Sequence, residues 1–163
     1  MEENHKLSGE ITDMPPEGYL LPETYSFQKG RARQEIIERM HAAKKEALAD
    51  LWPQRQDNLP FNTIDEAVIL ASIVEKETAV ADERDKVAGV FVNRLRKGMR
   101  LQSDPTVIYA LTDGRPKDDG HGPLGRRLLR KDLEIDSAYN TYKYAGLTPG
   151  PICNPGKQSL KAV

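Results

Sequence analysis

The residues best suited to chemistry in this 163-residue chain are two carboxylates, Glu75 and Glu77, which follow the apolar run AVILASIV at positions 67–74. On a helix turning 100° per residue, Ile64, Val68, Ala71, Glu75 and Ala79 share one face. Glu77 then points about 160° away from Glu75, on the side of Leu70 and Ile73. One carboxyl therefore leaves the helix toward a cleft, and the other toward solvent or a cationic partner. A carboxyl at the end of a buried helix, against Val and Ile, has its charged form disfavoured by desolvation. Such a group can carry a proton at neutral pH and deliver it to a leaving oxygen, as cleavage of a glycosidic bond requires. The alternative is a pair of surface carboxylates matched to Lys76, Arg84 or Lys86. The residues alone leave both readings open.

Other chemistries find less support. No glycine-rich phosphate loop of either common spacing occurs, and neither Ser72 nor Cys153 sits in a nucleophile motif. A single cysteine forms no intramolecular disulfide, and His5, His41 and His121 are too scattered to suggest a metal site, so no metal or cofactor is expected. With 24 Lys plus Arg against 25 Asp plus Glu, the formal net charge of -1 gives no field that attracts a polyanion, and nucleic acid is not an expected partner. Tyr139, Asn140, Thr141 and Tyr142 gather aromatic rings and amides suited to a glycan groove, although aromatic residues more often fill cores. Asn93 is either a surface amide or a sugar-binding one. Gln102 and Asp104 precede Pro105, where Asp104 is either a turn residue or part of a ligand cleft. Arg126, Arg127, Arg130 and Lys131 form a basic knot, either a solvated helix start or a contact for an anionic polymer.

The elements that must position these residues follow from pattern. Residues 1–16 read as an extended lead-in closed by Pro15 and Pro16. Tyr19–Leu21 and Thr24–Phe27 are strand formers interrupted by Pro22, an edge strand or two short extended pieces. Residues 31–51 carry Ile36, Met40, Ala43, Ala47 and Leu51 near helical spacing, which predicts an amphipathic helix closed by Trp52 and Pro53. Thr63 and Glu66 make a capping box for the apolar helix, about 63–77, which must be surrounded by protein. A second helix runs from about Glu83 to Lys97, with Gly98 as its C-cap. Thr106–Tyr109 is strand or helix, and 112–127 is a turn-rich loop. Asp136 or Ser137 is expected to cap a helix through Tyr144. GLTPGPICNPG, 146–156, places six Gly or Pro in eleven residues and must be a rigid loop. Asn154 and Pro155 read as the cap and first residue of a last helix. The fold class expected is α+β: a mainly helical domain around the buried helix, with small β elements. No run of 18 apolar residues exists, and the start is too polar for a signal peptide.

The strings ILASIVEKETAVADERDKVAGVFVNRLRKGMRLQSDPTVIYAL (69–111), EGYLLPETYSF (17–27), DSAYNTYKYAGLTPGPICNPG (136–156) and SLKA (159–162) together resemble the catalytic region of the bacterial YceG-like family of endolytic murein transglycosylases. The resemblance spans 17–163. It implies cleavage of the β-1,4 bond between N-acetylmuramic acid and N-acetylglucosamine within glycan strands, leaving a 1,6-anhydro-muramyl end without addition of water. It implies that Glu75, the first Glu of IVEKE, is the catalytic residue, acting as acid and then as base. Asn93, Gln102, Asp104, Tyr139 and Asn140 match family motif positions and are the candidates for holding the glycan. Peptidoglycan strands are the implied partner, together with peptidoglycan synthases and penicillin-binding proteins. The resemblance further implies a parent anchored in the cytoplasmic membrane by an N-terminal helix, with this region on the outer side, a LysM-like region before it and a strand-rich stretch after it. A lysozyme-like hydrolase and a non-catalytic glycan-binding module are the alternatives.

Overall fold

A computed structural model describes residues 7–117 and 122–163. His5, His121 and the centre of the 112–127 loop lie outside the described residues. Five α-helices are present among those described: α1 (Arg33–Leu51), α2 (Ile64–Glu77), α3 (Arg84–Arg96), α4 (Asp104–Thr112) and α5 (Lys157–Ala162). Short 3-10 turns stand at Trp52–Gln54, Ala81–Glu83 and Arg130–Glu134.

The expected α+β class is corrected by this architecture. Among the described residues there is no sheet, only an isolated bridge between Ser8 and Ala32. The strand formers around Pro22 find other partners for their backbone: Leu20 N–H donates to the Asn154 side chain at 3.0 Å and Leu21 N–H to the Met40 carbonyl at 3.1 Å. With those donors taken, Leu20 and Leu21 bury their side chains without a ladder. The ambiguous segment after Pro105 is helix α4, with the proline in the first turn, where its missing N–H costs nothing.

Helix α2 is the axis of the molecule. Thr63 Oγ1 accepts the Glu66 N–H at 3.2 Å, and the Glu66 carboxylate accepts the N–H groups of Asn62 at 2.8 Å and Thr63 at 3.0 Å. The capping box thus satisfies orphan donors of the first turn, and those backbone bonds hold the Glu66 carboxyl below the usual range. Both sides of the helix are then covered. Leu70, Ile73 and Val74 pack with Phe61, Phe91, Val92, Leu101 and Ile152, while Val68 and Ala71 pack with Leu21, Ala47 and Leu160. Five apolar residues of α2, Val68, Leu70, Ala71, Ile73 and Val74, have no exposed surface. Each large one contributes about 1.5–3 kcal/mol by leaving water. Helix α3 ends as expected, with Gly98 in the left-handed region at φ +63°.

Two further expectations are corrected. The helix from Asp136 to Tyr144 does not form; the segment is a series of turns. Its cause is Asn140, whose buried side-chain amide donates to the carbonyls of Leu133 at 2.9 Å and Ile135 at 2.8 Å, while Oδ1 accepts the Tyr142 N–H at 3.0 Å. A side chain that anchors itself to carbonyls before the segment and takes the Tyr142 N–H, which a helix would have used, holds the segment in turns. Asn154 and Pro155 do not open the last helix either. Gly156 is the residue before α5, and Asn154 instead reaches back to residues 18 and 20. Gly18 is held there in a conformation only glycine takes easily, φ +95°, and a Cβ would sit 2.6 Å from Pro151 Cγ.

Candidate active site

Glu75 leaves the last turn of α2 half-buried, and its Oε2 accepts two hydrogen bonds, from the Gly156 N–H at 3.1 Å and the Ser159 hydroxyl at 2.5 Å. Oε1 accepts none among the described residues. The first donor comes from the Gly/Pro-rich segment, each of whose residues from 152 to 156 is tied to a distant part of the chain, and the second from helix α5, which follows it. Ile152 N–H donates to Ser72 Oγ at 3.0 Å, and the Cys153 thiol donates to the Ser72 carbonyl at 3.3 Å. Asn154 Oδ1 accepts the N–H groups of Gly18 at 2.9 Å and Leu20 at 3.0 Å. The Pro155 carbonyl accepts from Lys44 Nζ at 2.5 Å, and the Gly156 N–H reaches Glu75. Backbone fixed by prolines and pinned at every residue has little freedom to lose when it meets the carboxylate.

Two groups titrate unusually here, Cys153 in the strap and Lys44 of α1, which grips it. Burial pushes the Cys153 thiol up to about 12, so it stays a neutral donor and not a nucleophile. Burial lowers Lys44 to about 8, against the opposing attraction of Cys153 and Glu75.

Glu77 leaves the same turn exposed and toward different company. Ser103 Oγ donates to Glu77 Oε2 at 2.7 Å. Behind Ser103 stands a buried hydroxyl network: Thr141 Oγ1 accepts the Ser103 N–H at 3.0 Å and lies 2.8 Å from Thr106 Oγ1. Gln102, in the left-handed region at φ +54°, donates its N–H to the Thr141 carbonyl at 3.1 Å. A non-glycine residue held so costs of order 1–3 kcal/mol, the kind of strain that clusters at functional sites. Tyr142 donates its hydroxyl to Asp104 Oδ1 at 2.6 Å, and burial together with that carboxylate pushes the phenol up to about 12.

The sequence candidates thus separate. Gln102 and Asp104 stand together, exposed, on the Glu77 side of the α2 terminus. Tyr139 is half-buried with its ring 4.8 Å from that of Tyr109, whose hydroxyl donates to Glu17 at 2.8 Å. Asn140 is wholly buried and committed to its turn. Asn93 is exposed on α3, with Oδ1 3.4 Å from Arg96 Nη1, beside a groove of about 520 Å³ lined by residues that include Trp52, Phe61 and Val163 and none of the other candidates. The basic knot is partly neutralised: Arg126 grips Asp132 through its two terminal guanidinium nitrogens, at 2.6 and 2.9 Å.

Sequence reasoning assigned no site role to Ser159, Gly156 or Lys44. Ser159 and Gly156 fall within the strings that carry the resemblance, but their residue types do not mark them as partners of a carboxylate. Lys44 carries a local signal: it interrupts the apolar stripe of Met40, Ala43, Ala47 and Leu51, a cation where the pattern calls for an apolar residue.

A helix surrounded by protein thus ends in a carboxylate clasped by a backbone N–H and a hydroxyl, with its second oxygen open to exchange a proton. The sequence model of the YceG-like family matches residues 1–163, and the chain belongs to that family. It is 42% identical over 148 residues to an endolytic murein transglycosylase of Bacillus subtilis (strain 168), a match covering 91% of this chain and 38% of that protein. It is 36% identical over 152 residues to one of Streptococcus pneumoniae (strain D39), covering 90% of this chain and 25% of the relative. The crystal structure of a yceG-like protein from Listeria monocytogenes superposes with a TM-score of 0.68 at 41% identity, over 89% of this chain and 44% of that one. The chain spans between a quarter and 44% of the length of these relatives.

Proposed function

We propose that this chain is the catalytic part of an endolytic lytic transglycosylase that cuts the β-1,4 bond between N-acetylmuramic acid and N-acetylglucosamine inside peptidoglycan strands, with Glu75 as acid and then base. The observation that carries the reading is the clasp on Glu75: both donors fall on Oε2, which fixes the carboxyl plane and leaves Oε1 for the substrate. Family membership supports the substrate class.

In this mechanism Glu75 first gives its proton to the glycosidic oxygen as the bond from that oxygen to the anomeric carbon breaks. The carboxylate so formed accepts the proton of the muramyl carbon 6 hydroxyl, whose oxygen closes on the anomeric carbon. Atoms balance without water, and the product is the 1,6-anhydro end. The Ser159 hydroxyl and Gly156 N–H serve the base half, because both donate to the charged form. No second carboxylate has to act, since the substrate supplies its own nucleophile; a retaining or inverting hydrolase commonly uses one, as nucleophile or to activate water. Gln102 and Asp104 with Tyr142 form the polar rim we assign to the glycan, Tyr139 offers a ring, and Asn140 acts by shaping the loop that carries them. Asn93 stands apart, and its part in holding substrate would be at a distant subsite.

The implied setting, outside a cytoplasmic membrane and beside peptidoglycan synthases, rests on the resemblance; among the described residues no helix is long and apolar enough to cross a membrane. The test is mass spectrometry of glycan strands digested by the protein and by Glu75→Gln. Anhydro-muropeptides from the parent and their loss in the variant are expected. Products ending in reducing muramic acid would identify a hydrolase, and undiminished anhydro product from Glu75→Gln would remove Glu75 from the mechanism.

A further inference from the structure

Lys44 is the largest wholly buried side chain among the described residues, yet it carries a charge. An ammonium has three N–H donors, and here one acceptor, the Pro155 carbonyl at 2.5 Å, receives it. The ionisable groups that act on it are Glu75 from α2 and the Cys153 thiol from the strap. A buried cation so sparsely matched is poor at holding a fold together, and an apolar residue in the same stripe would pack at less cost. Its placement makes sense through what it holds.

The Pro155 carbonyl and the Gly156 N–H belong to one peptide group. None of the peptide bonds described is cis, so the two dipole ends point in opposite directions. The carbonyl end is gripped by Lys44, and the N–H end donates to Glu75 Oε2 at 3.1 Å. A cation on the carbonyl fixes the peptide plane and draws electron density toward the oxygen, which strengthens the N–H as a donor. We propose that Lys44 is a positioning residue for Glu75, acting through the Pro155–Gly156 peptide to orient its carboxylate and to favour the charged form in the base half of the cycle. The proposal rests on the acid/base reading of Glu75. It adds a second consequence: because burial lowers Lys44 to about 8, the grip on the Pro155 carbonyl is expected to weaken at mildly alkaline pH.

The test uses Lys44→Met, which keeps the apolar stem, Lys44→Arg, which keeps the charge, and Glu75→Gln, assayed for release of anhydro-muropeptides. Lys44→Met is expected to lose at least about tenfold in kcat with KM within about twofold, and to lose the alkaline limb near pH 8 of the parent profile; Lys44→Arg regains part of kcat. A folded Lys44→Met with parental kcat and pH profile, beside an inactive Glu75→Gln, overturns the proposal alone. An active Glu75→Gln brings down the acid/base reading, and the proposal with it. Should Lys44→Met not fold, lysine Nζ resonances are titrated in the parent and in Glu75→Gln. Removing the carboxylate must lower the Lys44 midpoint, and an unmoved midpoint overturns the coupling on which the proposal depends.

Discussion

Glu75 and Glu77 leave one turn of one helix, yet their surroundings differ in kind. Glu75 is half-buried and held by a backbone N–H from a strap pinned at five successive residues and by a hydroxyl from the helix that follows it. Glu77 is exposed and accepts from one serine. The first arrangement fixes the orientation of its carboxyl; the second leaves its carboxylate free to move. Position in the sequence says little about this, because the partners of Glu75 lie 81 and 84 residues away.

The contrast can be broken most severely at the carboxylates themselves. Glu75→Gln should lower turnover by about 10²- to 10⁴-fold, the usual worth of a general acid/base, and Glu77→Gln by less than about 10-fold. Similar losses in single-turnover assays would erase the distinction. Next comes the strap. Asn154→Ala strands the N–H groups of Gly18 and Leu20, at an expected cost of about 2–4 kcal/mol by denaturant unfolding. Ser159→Ala removes a charge-assisted bond from Glu75 without touching the strap's other ties, so about 1.5–3 kcal/mol of the barrier should return, read as a 10- to 100-fold fall in kcat. On the Glu77 side, Tyr142→Phe loses one hydrogen bond to Asp104, for about 0.5–1.5 kcal/mol, read as a rise in KM of a few-fold.

The smallest effect is away from both carboxylates. Asp132 is held down to about 2 by Arg126 and then by the Leu129 N–H. Its folded value lies below the ordinary carboxylate value of 3.8, so its contribution is present above that pH and lost as pH falls toward 2. Asp132→Asn should flatten the acid limb of stability between those values, as followed by circular dichroism.

Helix α2 was legible because its evidence is local: a capping box at one end, eight residues with one polar member, and a face on which Glu75 must sit. Helix α3 and its glycine cap were legible for the same reason. The fold class was misjudged where apolar side chains near Pro22 suggested strand, since what decides strand is a partner for the backbone, and Asn154 and Met40 took those donors instead. The helix expected at 136–144 failed through Asn140, whose preference for backbone carbonyls becomes visible only when the turn brings Leu133 and Ile135 within reach. Glu75 itself was nominated by its helix face, while the residues that clasp it had no pattern to betray them. Lys44 alone left a trace, a cation in an apolar stripe.

The long sequence separation of the clasp also orders events during synthesis. A growing chain exposes Glu75 while Gly156 is still 81 residues from being made, which at common rates of translation is about 4–16 s. Until then the carboxyl has neither of its donors, and Gly18 waits for an Asn154 that is 136 residues downstream. Non-local contacts of this span form late. The clasp on Glu75 is thus among the last parts of the domain to be assembled, and a nascent or interrupted chain that stops short of Ser159 lacks one of its two donors.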